Sequence, residues 1–182
     1  MSSFIGLKEA AIYGLSLQIV NVIPALSSLR FQLNVPQMNY LQSIGNKSKL
    51  SVLYYKSILI SLLLYFFMAS ILIAIVPLYE TFFDGDFDIL PFDLLLVLLV
   101  SVLLEMNHSN AATYLTTKNE VPFLSSSLIS GVVIVVASII SVVVLELGLL
   151  GVLLSYFLTQ LSFNNWYWPY VAFKDLKKSE NN

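Results

Sequence analysis

The chain has 182 residues, of which 58% are hydrophobic and 11% charged, with a net charge of −2 and no cysteine. Soluble domains carry about a quarter charged residues, so the shell that a water-soluble core needs is missing, and a mean hydropathy of +0.83 points to a protein integral to a membrane. Without Cys there are no disulfides, thiolate metal sites or cysteine nucleophiles, and without basic runs interleaved with aromatics there is no sign of nucleic-acid binding.

The N-terminal "MSSFIGLKEAAIYG" lacks the basic n-region and small-residue cleavage site of a signal peptide. A spanning helix needs about 20 mostly apolar residues. Five stretches qualify, at roughly 10–40, 57–79, 92–115, 121–145 and 147–173. The expected fold is therefore all-α: a polytopic bundle of about five transmembrane helices over residues 1–176, with a short cytoplasmic tail at 177–182. The β-branched run "SGVVIVVASIISVVVLE" is too long and too uniformly apolar for a barrel strand, and a helix satisfies its own backbone in lipid.

The first stretch has Arg30 as its only charge. Gln18, Asn21, Ser28 and Gln32 fall on one helical stripe, and Arg30, Asn34 and Gln37 on another. Pro24 and Pro36 interrupt the hydrogen-bond ladder and free carbonyls. Such a helix has no clean lipid face. Either it lines a cavity with Arg30 as an anion-binding group, or Arg30 lies near the interface and snorkels. The second stretch is uncharged. After it comes "YETFFDGDFDILPFD", with five acids and no Lys or Arg. Its "DGDFD" resembles a calcium loop but lacks the Glu at the twelfth position, so a solvated external turn is expected.

The third stretch carries Asp93 and, deeper, Glu105, Asn107, His108 and Asn110. Glu105 and His108 are three residues apart and share a face, as do Asn107 and Asn110. Intramembrane ionisable groups are costly and face bundle interiors or wet cavities. Glu105 and His108 are candidates for ion coupling, and the two Asn for cavity lining. Interhelical hydrogen bonding is the competing role, and for His108 the better one. The fourth stretch is uncharged. The fifth ends in "TQLSFNNWYWPY", with Gln160 and Asn164 on one face as cavity-lining or packing groups and an aromatic belt behind them. One His and no Cys cannot make a typical zinc site, no catalytic constellation or Walker loop is present, and no cofactor or enzymatic activity is expected.

Bases and acids alternate between connections. Lys47, Lys49, Lys56, Lys118, Lys174, Lys177 and Lys178 fall on one side; the acidic loops fall on the other. By the positive-inside rule the Lys side and the C-terminus are cytoplasmic. The first helix then starts outside, and one further helix before Met1 would make six.

"NHSNAATYLTTKNEVPF", an apolar helix, the turn "LGLLG" and "QLSFNNWYWP" together resemble the C-terminal half of a polysaccharide flippase. This is the Wzx-like, O-antigen branch of the multidrug/oligosaccharidyl-lipid/polysaccharide exporter superfamily. "IYGLSLQIVNVIPALSSLRFQLNVPQMNYLQSIGNKSKL" is similar to an even-numbered helix of that family with its basic cytoplasmic loop. The resemblance implies two helical lobes around a central cavity, of which this chain holds most of the second. It implies export of an undecaprenyl-diphosphate-linked oligosaccharide across the bacterial cytoplasmic membrane, with Arg30 toward the diphosphate and Glu105 toward the coupling ion. It implies membrane lipid, the glycan lipid and a missing N-terminal lobe or complementing chain as partners. The rivals are half of a cation-coupled multidrug exporter, a membrane-embedded glycan enzyme and a non-transporting subunit.

Overall fold

The computed structural model describes residues 6–82, 89–119 and 121–180, so the acidic turn at 84–88 and the last two residues lie outside the described residues. Among the described residues seven helices follow one another: α1 (Leu7–Ser27), α2 (Leu29–Ser43), α3 (Lys47–Phe82), α4 (Phe92–Thr116), α5 (Leu124–Val143), α6 (Gly148–Ser162) and α7 (Asn164–Glu180). No strand is present among the described residues. Four helices, α1, α3, α4 and α5, are long and apolar enough to cross a membrane, as a multi-pass membrane protein requires.

The third and fourth expected spans match α4 and α5, and the second lies inside the longer α3. The first and fifth are each divided. The first is interrupted only at Ser28 (φ −83°, ψ −7°). Ser28 N–H still reaches Pro24 O at 2.9 Å and Gln32 N–H reaches Ser28 O at 2.9 Å, so α2 nearly continues α1. The fifth breaks at Phe163 (φ −143°, ψ −63°), leaving helices of 15 and 17 residues. Side chains take over the ladder there. The Asn165 amide donates to Gln160 O and, at 2.7 Å, to Gln160 Oε1. Trp166 Nε1 donates to Ser162 O at 2.9 Å. Asn and Ser compete with helical backbone bonds in this way wherever they have a choice. Beyond the break, α7 runs on to Glu180, through most of the segment expected as a separate tail.

The core has two tiers. One joins Val20 and Ile23 of α1, Tyr65 and Ala69 of α3, Leu98 and Val102 of α4, and Leu153 of α6. The other joins Phe31 and Met38 of α2, Tyr54 of α3, Tyr114 of α4, and Trp168 and Ala172 of α7. Helices α3 and α4 run through both tiers, whereas the breaks at Ser28 and Phe163 separate them. On α3 the buried seam is Leu50, Tyr54, Ser57, Ser61, Tyr65 and Ala69, at spacings of three and four. Small and hydroxylated residues let helices approach closely where lipid offers no hydrophobic drive between them. Tyr65 donates to Leu99 O across that seam at 2.6 Å.

Helix α5 has no buried residue and packs mainly on α6. Contact is made through small residues. Ser141 and Ser155 hydroxyls are 3.1 Å apart, and a Cβ on Gly151 would stand 2.7 Å from the Ser141 Cβ. Gly151→Val therefore forces the pair open and is expected to cost about 1–3 kcal/mol, read as a lower unfolding midpoint in detergent. In this cysteine-free chain, joint Ser141→Cys and Ser155→Cys substitution is expected to give a disulfide on mild oxidation; failure to form it would refute the crossing.

Candidate functional site

Where the tiers meet, α1, α2, α4 and α6 enclose an open groove of about 490 Å³. Its long wall is the stripe Tyr13, Leu17, Asn21, Pro24, Ser28 and Gln32, which faces Val102, Glu105, Met106 and Ser109 of α4 and Tyr156 of α6. The recurrence at i, i+4, i+7 or i+8 makes this a single helix face. Proline contributes beyond its ring: with no N–H on Pro24 and Pro36, the carbonyls of Val20 and Gln32 lose their intrahelical donors.

Glu105 is exposed to the groove and accepts a hydrogen bond from the Tyr156 hydroxyl. It is the only charged residue in the lining. Gln160 stands one turn beyond Tyr156 and interacts with it. A polar chain continues from there. Asn165 bridges to Gln160, and Asn107 Nδ2 reaches Asn165 O at a long 3.5 Å. Pro169 explains why that carbonyl is available, since it lies four residues on and has no N–H to give.

The other expected site residues are distributed differently. Asn21 lines the groove, while Gln18, from the same sequence stripe, is exposed outside it. Asn34 donates to Ser57 Oγ at 2.8 Å and joins α2 to α3. Arg30 is exposed and outside the groove, so it and Glu105 do not share a site. Asn110 is buried in α4. Asn164 ties α7 to α5, donating to Ser130 Oγ at 2.7 Å and accepting from Trp168 Nε1 at 3.1 Å. Trp168 is thereby buried at a helix junction rather than placed in an exposed belt, although Trp166 and Tyr170 remain exposed. His108 packs edge-on against Phe123 with ring centroids 6.3 Å apart, and its buried Nδ1 has no hydrogen-bond partner. Among the described residues no group of three or more His, Asp or Glu is placed to hold a metal.

Sequence reasoning missed Tyr13 and Tyr156. The signal for Tyr156 was present: it precedes Gln160 by four residues, as Gln160 precedes Asn164, so all three share a face.

At the Lys-bearing end, a second cavity of about 480 Å³ lies between the ends of α2 and α4, lined by polar residues that include Asn39, Gln42, Ser43, Thr116 and Lys118. Beside it, Lys118 Nζ and the Tyr114 hydroxyl meet the Asp175 carboxylate at 2.9 and 2.7 Å. Comparison with protein-family models, with curated proteins and with solved structures gives no match. The flippase resemblance thus rests on the sequence motifs alone.

Burial acts to raise the Asp175 carboxyl, but the Lys118 and Tyr114 hydrogen bonds and the charges of Lys118 and Lys47 outweigh it and hold it below its ordinary value. A depressed carboxyl stabilises the fold above its unfolded pKa of about 3.9, and that contribution is lost as pH falls through the lower folded value. Asp175→Asn is expected to lower stability at pH 7 by about 0.5–1 kcal/mol, as for a partly exposed pair. The gap between variant and parent should narrow as the pH falls below about 3.9 and vanish only below the lower folded value; a gap independent of pH would refute the assignment.

Proposed function

We propose that the chain forms one wall of a transport pathway in the bacterial cytoplasmic membrane, with its C-terminus in the cytoplasm. The cargo is a lipid-linked (undecaprenyl-diphosphate) oligosaccharide destined for polysaccharide or O-antigen assembly. The chain moves this cargo and makes or breaks no covalent bond in it. The groove carries the proposal. Its hydroxyl and amide groups on Tyr13, Asn21, Ser28, Gln32, Ser109 and Tyr156 alternate with apolar Leu17, Val102 and Met106, a lining suited to a sugar whose lipid stays in the bilayer. The groove is open on one side, so the opposite wall comes from an N-terminal lobe or a complementing chain. Alternating access follows from rocking one bundle against the other around the site.

One observation favours a second reading. The groove's single charge is the Glu105 carboxylate, while Arg30 lies elsewhere. A carboxylate in a polar groove suits a cation, as in half of a cation-coupled multidrug exporter. In the glycan reading the same carboxylate binds the coupling ion, and the diphosphate draws its cation from outside the groove.

Proteoliposomes holding the chain with its complementing wall distinguish these. Flipping of a fluorescent lipid-linked oligosaccharide, driven by a proton or sodium gradient, is expected. Glu105→Gln should slow it about tenfold, equal to roughly 1.4 kcal/mol of barrier, and remove the gradient dependence. Extrusion of a cationic dye without glycan flipping would establish the exporter reading. Movement of neither cargo would leave the chain a non-transporting subunit or a glycan enzyme.

A further inference from the structure

The groove uses one face of α1 and α2, and the core uses a second. A third face is uncovered. Leu15, Val22, Leu26, Leu29, Leu33 and Tyr40 are all exposed along it, with Leu33 at 72%. Their spacings of seven, four, three, four and seven trace a heptad stripe, the pattern by which one helix packs against another. An apolar stripe alone would suit lipid. This one is not purely apolar, because exposed Gln18, Arg30 and Gln37 stand within or beside it.

The positions of these three residues matter. At 1.5 Å per residue, Gln18 and Gln37 are separated by roughly 28 Å, close to the thickness of a hydrocarbon core at about 30 Å. Ser28 and Gln32, which bracket Arg30, line the groove with Glu105 and Ser109 of α4, so Arg30 lies level with the interior of that membrane-length helix. Its neighbour one turn on, Asn34, is satisfied by Ser57 of α3. Arg30 makes no hydrogen bond or ion pair to any described residue and is exposed. A guanidinium inside a bilayer needs an opposite charge or water, and a heptad stripe beside it needs a helix.

We propose that this face docks a membrane-spanning helix bearing an Asp or Glu at the depth of Arg30, supplied from outside these 182 residues. The carboxylate neutralises Arg30 through the two parallel bonds that a guanidinium fork favours, while apolar residues of the same helix cover Leu26, Leu29 and Leu33. This deepens the transport reading by naming the surface where a second wall joins. It does not depend on what the pathway carries.

A cysteine-free chain suits site-directed spin labelling. A label at Leu33→Cys is compared with one at Val132→Cys, on the exposed outer face of α5. Both are read as accessibility to oxygen, which partitions into lipid, and to a water-soluble nickel complex. For the chain alone in vesicles, both labels are expected to be open to oxygen. In membranes of the native host, the Leu33 label should lose its accessibility to both reagents while the Val132 label stays open. Arg30→Glu should restore oxygen access at Leu33 in host membranes, and Arg30→Lys should keep it shielded. Disulfide formation between cysteines at 141 and 155 reports in each variant that the bundle is folded.

Oxygen access at Leu33 equal to that at Val132 in host membranes would show a lipid-facing surface and overturn the proposal. Nickel access would show a water-filled cavity and overturn it too. Shielding that survives Arg30→Glu would show that no carboxylate recognises the arginine. None of these readouts measures transport, so a chain that moves no glycan still passes or fails.

Discussion

The constraint on which this structure depends is that backbone polar groups in lipid must be satisfied within the protein. Helices without an internal proline, α4 and α5, meet it within their own ladders. Where the ladder is interrupted, a side chain must step in, and the interruptions are where polar side chains gather. At Phe163 the freed groups are met by Asn165, Gln160 and Trp166. At Pro169 the orphaned Asn165 carbonyl meets Asn107. The polar residues of the fifth stretch are therefore first a repair of backbone, and only then a lining for anything else.

That repair shapes the rest of the bundle. Between the two tiers α4 is flanked by the α1–α2 stripe, which continues across Ser28, and by α6, which ends at Ser162. The space left is the groove. Glu105 opens into it because α6 brings Tyr156 rather than an apolar residue to that level. An uninterrupted fifth helix would carry its 3.6-residue period through Phe163 and rotate Asn164 and Trp168 away from Ser126 and Ser130, undoing the junction with α5. The break thus ties α5, α6 and α7 together.

Much of the fold was legible in the sequence because hydropathy and length decide it. The third stretch, expected at 92–115, is α4 at Phe92–Thr116. The divisions at Ser28 and Phe163 were less legible. Pro24, Pro36 and Pro169 announce weakened ladders, but whether a proline bends a helix or ends it depends on which neighbours accept the freed groups. The α3 seam was visible as Tyr54, Ser57, Ser61 and Tyr65 at spacings of three and four, yet hydropathy alone started that helix too late to include its first members. The site was the least legible part. Glu105 stands out as an intramembrane acid in any reading, whereas its partner Tyr156 is 51 residues away and no local pattern links them.

The separation of Arg30 from Glu105 bears most on function. The sequence resemblance assigned Arg30 to the diphosphate and Glu105 to the coupling ion of one transport pathway. In the structure Ser28 and Gln32 turn toward Glu105, while Arg30 projects from another flank of the same helix. A residue between two groove residues in sequence is offset by about 100° per step around the helix, so it cannot join them without unwinding the turn. The groove is consequently a neutral-to-acidic surface with no base of its own. An anionic headgroup gains nothing from it electrostatically, whereas sugar hydroxyls and a small cation do. On the proposed glycan-lipid reading, the labour would be divided, with sugar and coupling ion on this side and the diphosphate met by charge outside the groove.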